Sequence, residues 1–299
     1  MQTLTLKSYA KLNLYLKVLK LRKDNYHNLS TVFERISLFD TITLTSRKDN
    51  SIRIISAQSS IPKDRTNLAY KSAKLLQDAF GIAQGLDIRI TKRIPVGAGM
   101  GGGSSNAASV LLGLNRLWRL GLTQAQLIAL ARKLGSDVPF FVCNTSFAHG
   151  RGRGDKITPL TNPAFKRLWH VLAVPRINVP TPFVYKNWDE LKLLKNTSVR
   201  LTIPRFDVTL LLLALKKHDV ALLSNAVYNS LEQVTFVLHP ELMNIKKALV
   251  QQPGISSVLM SGSGPTVFGI ASSRARALAA EKKLKAAKKG WRIFVARTI

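Results

Sequence analysis

Apolar and polar positions alternate with period two through much of the first 55 residues, most clearly over 3–8, 12–20 and 41–55, where β-branched residues are also frequent. This pattern predicts strands, with Asp24-Asn25 marking a turn between them. The period then changes. Leu68, Leu75, Leu76 and Ala79 predict a helix over 67–80, and Leu86, Ile88 and Ile90 predict a strand over 86–94. A helix is expected from about 104 to 118, because Ala107, Val110, Leu111, Leu114 and Trp118 recur at three- and four-residue steps. Thr123 and Gln126 form a capping-box pattern for the next helix, which Gly135 ends. Gly150-Arg151-Gly152-Arg153-Gly154 reads as a tight connection. Beyond it, helices are predicted over 182–194, 207–217, 220–231 and 241–251, and strands over 168–174, 258–261, 266–271 and 291–296. Strands followed by mixed helices, without strict βαβ alternation, imply an α+β architecture in two lobes, divided as 1–155 and 156–299.

Composition changes this picture in three places. A chain of 299 residues that is 46% hydrophobic can build a substantial core. No apolar run approaches the roughly 20 residues that cross a bilayer; the stretch 210–215 reads as a buried helix, residues 1–6 lack the apolar core of a signal peptide, and a cytoplasmic chain is expected. The lone cysteine, Cys143, excludes an internal disulfide and a cysteine-rich metal site, and follows the apolar stretch 138–142 as a buried thiol would. Forty-five Lys and Arg against 16 Asp and Glu give a net charge of +29. Such a field attracts polyanions, nucleic acid among them. The basic residues are nonetheless scattered through almost every segment, as solvated faces would have them; only 274–289 is dense, with Lys282, Lys283, Lys285, Lys288 and Lys289 among alanines. Nothing in the pattern chooses between a monomer and a homodimer.

The sharpest chemical signal is Pro95-Val96-Gly97-Ala98-Gly99-Met100-Gly101-Gly102-Gly103-Ser104-Ser105-Asn106, in which five of the seven residues 97–103 are glycine. It follows a predicted strand and opens a predicted helix. Glycine lets an anion approach backbone N–H groups, and a helix start adds unpaired donors and partial positive charge. Ser104 and Ser105 add hydroxyls that suit phosphate oxygens, a magnesium ion or the helix cap. Gly97, Gly99 and Gly102 match a dinucleotide-binding spacing, but no Asp or Glu lies between Gly103 and Ser136 to hold a ribose. No Lys follows the glycines as a Walker loop requires, and the protein-kinase triplets are absent. A third kind of phosphate loop remains.

This loop resembles that of the GHMP kinases, and two further segments agree in order: Tyr9-Ala10-Lys11-Leu12-Asn13-Leu14 is similar to the first family motif, and Met260-Ser261-Gly262-Ser263-Gly264-Pro265-Thr266 to the third. Within the family, Asn25-Tyr26-His27, Gly135-Ser136-Asp137-Val138-Pro139-Phe140 and Pro180-Thr181-Pro182 resemble the branch acting on a cytidine diphosphate-linked methylerythritol. The resemblance implies an N-terminal ATP-binding and catalytic lobe, a C-terminal substrate lobe, and transfer of the γ-phosphoryl of Mg-ATP to an alcohol. It implies Lys11 and Asp137 as the catalytic pair, the aspartate taking the alcohol proton. On the residues alone, Asp137 reads as a helix N-cap; the resemblance reverses that reading. For ATP it implies Asn67, Lys92, Pro95, Gly97, Gly99, Gly101, Gly102, Gly103, Ser104 and Ser105, with Ser105 also near the metal. For the alcohol it implies Asn13, Tyr26, His27, Thr181, Pro182 and Tyr185, with Tyr26 and Tyr185 stacking on the base and His27 bonding its edge. The family often has Phe where Tyr185 stands, and Glu where this chain has Asp155 after Gly154. Homoserine and mevalonate kinases share the loop, and a nucleic-acid-binding protein would account for the charge while leaving the loop, Lys11 and Asp137 unexplained.

Overall fold

The computed structural model describes residues 2–161, 167–195, 208–217, 219–287 and 289–299. The first half runs β1 (Thr3–Leu21), β2 (His27–Ser46), β3 (Ile52–Ile55), α1 (Leu68–Phe80), β4 (Leu86–Thr91), α2 (Gly102–Leu117), α3 (Gln124–Leu134), α4 (Val138–Cys143), β5 (Phe147–Gly152) and β6 (Lys156–Pro159). The second half runs β7 (Trp169–Val174), α5 (Thr181–Lys195), α6 (Val208–Lys217), α7 (Val220–Ala226), β8 (Tyr228–Asn229), α8 (Glu232–Leu238), α9 (Glu241–Val250), β9 (Ile255–Met260), β10 (Val267–Ala271), α10 (Arg274–Ala286) and β11 (Arg292–Arg297). Among the described residues, one sheet holds seven strands along β3-β4-β2-β1-β8, with β5 attached to β2 and β6 to β5. The other holds four, in the order β11-β7-β10-β9. This is the expected α+β architecture.

β1 and β2 are each longer than any predicted strand and pair antiparallel along their length, with bulges at Tyr9/Ala10, Asn13/Tyr15 and Val18/Leu21. The turn at Asp24-Asn25 joins them, and Asn25 takes the left-handed φ of 60° that asparagine tolerates. Helix signals were legible. Asn67 caps α1, and Thr123 with Gln126 forms a complete capping box on α3. The glycine-rich stretch after residue 149 is not a bare connection: β5 runs through it, and a turn at 153–155 reverses into β6. The helix predicted over 220–231 stops at Ala226, where Tyr228 and Asn229 join β1 as a short parallel strand, and α8 then starts at Glu232. Lys288, in the basic stripe, lies outside the described residues, as does Asp207 at the start of a predicted helix.

α1, α2, α3 and α4 cover the first sheet, burying Leu76, Leu86, Ile88, Leu111, Leu114 and Phe140. A second core lies between the sheets and joins Leu12 and Leu14 of β1 to Leu172 of β7 and Phe268 of β10. Cys143 is a free, buried thiol, raised in pKa by that burial. At the junction of the sheets, Oε1 of Glu34 on β2 accepts from Nε2 of His170 on β7 at 2.9 Å and from the Thr298 hydroxyl at 2.5 Å. Glu34 and His170 are wholly buried. Replacing Glu34→Ala removes the acceptor for two buried donors at once. Because an orphaned buried partner bears the full cost of its desolvation, the loss should be on the order of 3 kcal/mol. Urea unfolding should show the midpoint falling at unchanged slope; an unchanged midpoint would mean that this junction carries no stability.

Candidate active site

The loop between β4 and α2 is anchored by its non-glycine residues. Ala98 and Met100 are 3% and 1% exposed and pack into the core between the sheets. Three successive carbonyls are held by other segments. Ala98 O accepts from the Thr266 hydroxyl at 2.6 Å, Gly99 O from the Ser261 hydroxyl at 3.0 Å, and Met100 O from the Lys11 amide at 3.0 Å. In a trans peptide the next residue's N–H points opposite to the carbonyl. The amides of Gly99, Met100 and Gly101 are therefore turned away from those partners, and none has an acceptor among the described residues. Gly99 has φ +72°, and a Cβ there would lie 2.3 Å from the Ser261 carbonyl oxygen. Gly101, at φ 67°, is the N-cap of α2, which starts at Gly102 with no side-chain cap. Ser104 and Ser105 thus sit inside the first turn and do not cap it. The result is a row of free N–H groups at a helix start, a cradle for an anion.

The cradle opens into a cavity of about 1080 Å³. Every residue that the resemblance implied lines it, with the exception of Ser105. Ser105 is buried, and its hydroxyl accepts from Ser8 at 2.8 Å. Ser104 is on the cavity wall. Asn67 lines the cavity but spends its side chain locally, accepting from Ala69 N at 2.9 Å and donating to Pro62 O at 2.7 Å. Lys92 is likewise engaged, its ammonium paired with Asp40 beneath the loop.

Lys11 and Asn13 lie two apart on β1 and so share one face. The Lys11 ammonium, 5% exposed, donates to Asn13 Oδ1 at 2.6 Å and lies 3.6 Å from Oδ2 of Asp137. Asn13 is oriented in turn by donating to the Thr31 hydroxyl at 2.8 Å. Burial depresses the pKa of Lys11, and the Asp137 carboxylate works against that shift. Asp137 occupies the N-cap position of α4, yet its backbone is helical and its side chain makes no cap bond. That removes the capping role and leaves a carboxylate, about one-third exposed, facing the cavity.

At the other end of the cavity, α5 grips β2. His27 stacks on Tyr185 at 5.4 Å between ring centroids, meets Trp188 edge-on, and its Nε2 lies 2.9 Å from Asp189 Oδ1. Tyr185, Trp188 and Asp189 are spaced as one helix face. The His27 ring is thus held by three residues of the second half, two of which carried no signal in the sequence. Burial pushes the Tyr185 phenol up, and the Asp137 charge adds to the shift. Tyr26 is half exposed, with the Arg153 guanidinium over its ring at 5.1 Å. Thr181 bonds the Ser263 hydroxyl at 2.8 Å, which brings the Pro180-Thr181-Pro182 segment against the 260–266 turn.

Two family models match the chain: GHMP kinases N terminal domain over residues 67–145, and GHMP kinases C terminal over 211–290. A curated relative from Geobacillus sp. (strain WCH70), named 4-diphosphocytidyl-2-C-methyl-D-erythritol kinase, is 47% identical over 89% of this chain and 88% of its own. One of the same name from Gloeobacter violaceus is 40% identical over 100% and 95%. A crystal structure of 4-(cytidine 5'-diphospho)-2C-methyl-D-erythritol kinase superposes with a TM-score of 0.79 at 35% identity, covering 98% of each chain. A more distant likeness extends only to the fold: L. major mevalonate kinase has a TM-score of 0.76 at 19% identity, over 99% of this chain and 96% of that one.

The opposed influences on Lys11 generate a prediction. Burial lowers its pKa and Asp137 raises it, so Asp137→Ala leaves burial unopposed. The ammonium should then lose its proton at a lower pH than in the wild type. NMR titration of the Lys11 side chain measures this directly; a midpoint at or above the wild-type value would show that the two groups do not interact.

Proposed function

The chain belongs to the GHMP kinase family, and from that premise we propose that it transfers the γ-phosphoryl group of ATP to the 2-hydroxyl of 4-diphosphocytidyl-2-C-methyl-D-erythritol, a step of non-mevalonate isoprenoid synthesis. The observation that carries the kinase reading is the cradle of free amides beside the Lys11–Asp137 pair in one cavity. The relatives of that name, at 40–47% identity over most of the chain, carry the choice of alcohol. In this reading the amides of Gly99, Met100 and Gly101 and the start of α2 hold the ATP phosphates. Tyr26, His27 and Tyr185 take the cytidine end, and the methylerythritol reaches toward Asn13 and Asp137. Asp137 accepts the hydroxyl proton as the oxygen attacks the γ-phosphorus; the bond to the β-phosphate oxygen breaks, and ADP leaves. Lys11 sets a positive charge beside Asp137 and faces the charge of the moving phosphoryl group.

Mg²⁺ would neutralise the phosphates. Among the described residues no three His, Cys, Asp or Glu side chains gather as a metal cage, so we propose that it arrives with ATP, with the Ser104 hydroxyl as the protein oxygen within the cavity. We assign 1–155 to the nucleotide lobe and 156–299 to the substrate lobe. No helix among the described residues is long and apolar enough to cross a membrane, and work in the cytoplasm suits two water-soluble substrates.

The test is ADP release from Mg-ATP with this alcohol. Wild type should release ADP only when the alcohol is present, and Asp137→Ala should lose about 10²–10⁴-fold in kcat with nucleotide binding intact. No release by folded, ATP-binding wild type would overturn the substrate and leave another alcohol of the family.

A further inference from the structure

We propose that Asp40 is a positioning residue that staples together the two ends of the phosphate loop, and that it sets the enzyme's affinity for the nucleotide's phosphates without touching them. The inference rests on the reading of the glycine loop as a nucleotide cradle. Asp40 sits near the middle of β2 and is wholly buried, with 0% exposure. Such a carboxylate is costly to desolvate and persists only when donors surround it. Its two oxygens face opposite ends of the loop. Oδ1 accepts from the amides of Arg93 and Ile94, at 2.8 and 2.9 Å, where the chain leaves β4 for the loop. Oδ2 accepts from Nδ2 of Asn106 at 2.9 Å, in the first turns of α2 where the loop ends. The same Asn106 nitrogen donates to the Ser8 hydroxyl at 2.8 Å, and Ser8 donates to Ser105 at 2.8 Å. The start of α2 is thereby tied to β1 as well. One carboxylate therefore fixes the chain on both sides of residues 95–101, and the buried Ala98 and Met100 fix it between.

A negative charge beneath an anion cradle would repel the ligand unless it were cancelled. Lys92 cancels it. Its side chain is 3% exposed and paired with Asp40, and its ammonium lies 2.8 Å from where a Cβ on Gly102 would stand. The lysine ahead of the loop thus serves the loop's foundation, and glycine at 102 leaves it room.

The test compares ADP with adenosine by calorimetry. Asp40→Asn keeps the shape but removes the charge and turns an NH₂ group toward donors. ADP should bind about tenfold more weakly or worse, since charge-assisted bonds hold the loop. Adenosine should stay within about twofold, because the base and ribose do not meet the loop amides. KM for ATP should rise while KM for the alcohol does not, and hydrogen exchange should quicken across 97–103 ahead of the rest of the chain. Should Asp40→Asn fail to fold, Asn106→Ala, which cuts the far tie together with its bond to Ser8 and leaves the Arg93 and Ile94 bonds in place, should still weaken ADP about threefold or more and spare adenosine. Equal ADP affinity in wild type and both variants would overturn the proposal. So would parallel losses of ADP and adenosine, which would mark a general loss of structure. A wild type that binds adenosine and not ADP would overturn the cradle itself, and this inference with it.

Discussion

Three consecutive carbonyl bonds decide how the rest of this molecule is arranged. Ala98, Gly99 and Met100 give their oxygens to Thr266, Ser261 and Lys11, residues drawn from opposite ends of the chain. A loop of this composition would otherwise sample many backbone states, since glycine loses more freedom on ordering than any other residue. Fixing the carbonyls fixes the amides as well, because the peptide plane ties one to the other. The free N–H groups are then set before any phosphate arrives, and little reorganisation remains for binding to drive. The same bonds require a close backbone approach at Gly99, where a side chain would collide with the 261–264 turn. Glycine here is a packing demand between the halves of the chain as much as a gift to the ligand.

The second constraint is electrostatic. A chain of +29 has cations to spare, yet the cavity holds its charges in arranged pairs: Lys11 near Asp137, Lys92 with Asp40, and Arg153 with Asp155 at 3.5 Å. Burial makes the pairings of Lys11 and Lys92 matter most, because an uncompensated ion in a low-dielectric wall is far more costly than one at the surface. The Lys11 ammonium shows the balance. It meets one strong acceptor in Asn13 and a more distant one in Asp137, which leaves the carboxylate open toward the cavity.

Much of this was legible in the sequence, for identifiable reasons. The helices carry local chemistry that acts within a few residues: Asn67 on α1, Thr123 and Gln126 on α3, the glycines before α2. The site residues sit in short segments scattered from 11 to 185, and the fold brings all of them but Ser105 to one cavity. What the sequence hid depends on distance. The glycines near 150 look like a connection, and only the pairing of β5 with β2 makes them a strand. Asp40 looks like one polar residue in an alternating strand, and its partners lie more than 50 positions away. Trp188 and Asp189 look like an ordinary helix surface until His27 packs there. Asp137 could not be separated from a helix cap by residue type; the backbone angles, helical where a cap is extended, separate them.

Helix α5 shows why the cavity belongs to neither half alone. The family models divide the chain, matching 67–145 and 211–290, and both stop short of residues 181–195. Yet Tyr185, Trp188 and Asp189 hold the first residue of β2, and Thr181 bonds the turn that braces the phosphate loop. The end of the cavity away from the glycine loop exists only while α5 lies on β2. The end at the loop exists only while the 261–266 turn lies against residues 98–100. Both contacts reach across the two sheets, so docking the second half onto the first builds both ends of the cavity in one step. The distance between them is therefore set by the packed core between the sheets, a close-packed interior that yields little. A rigid spacing of that kind is what a reaction needs when it joins two bound molecules end to end and gains its rate from their alignment.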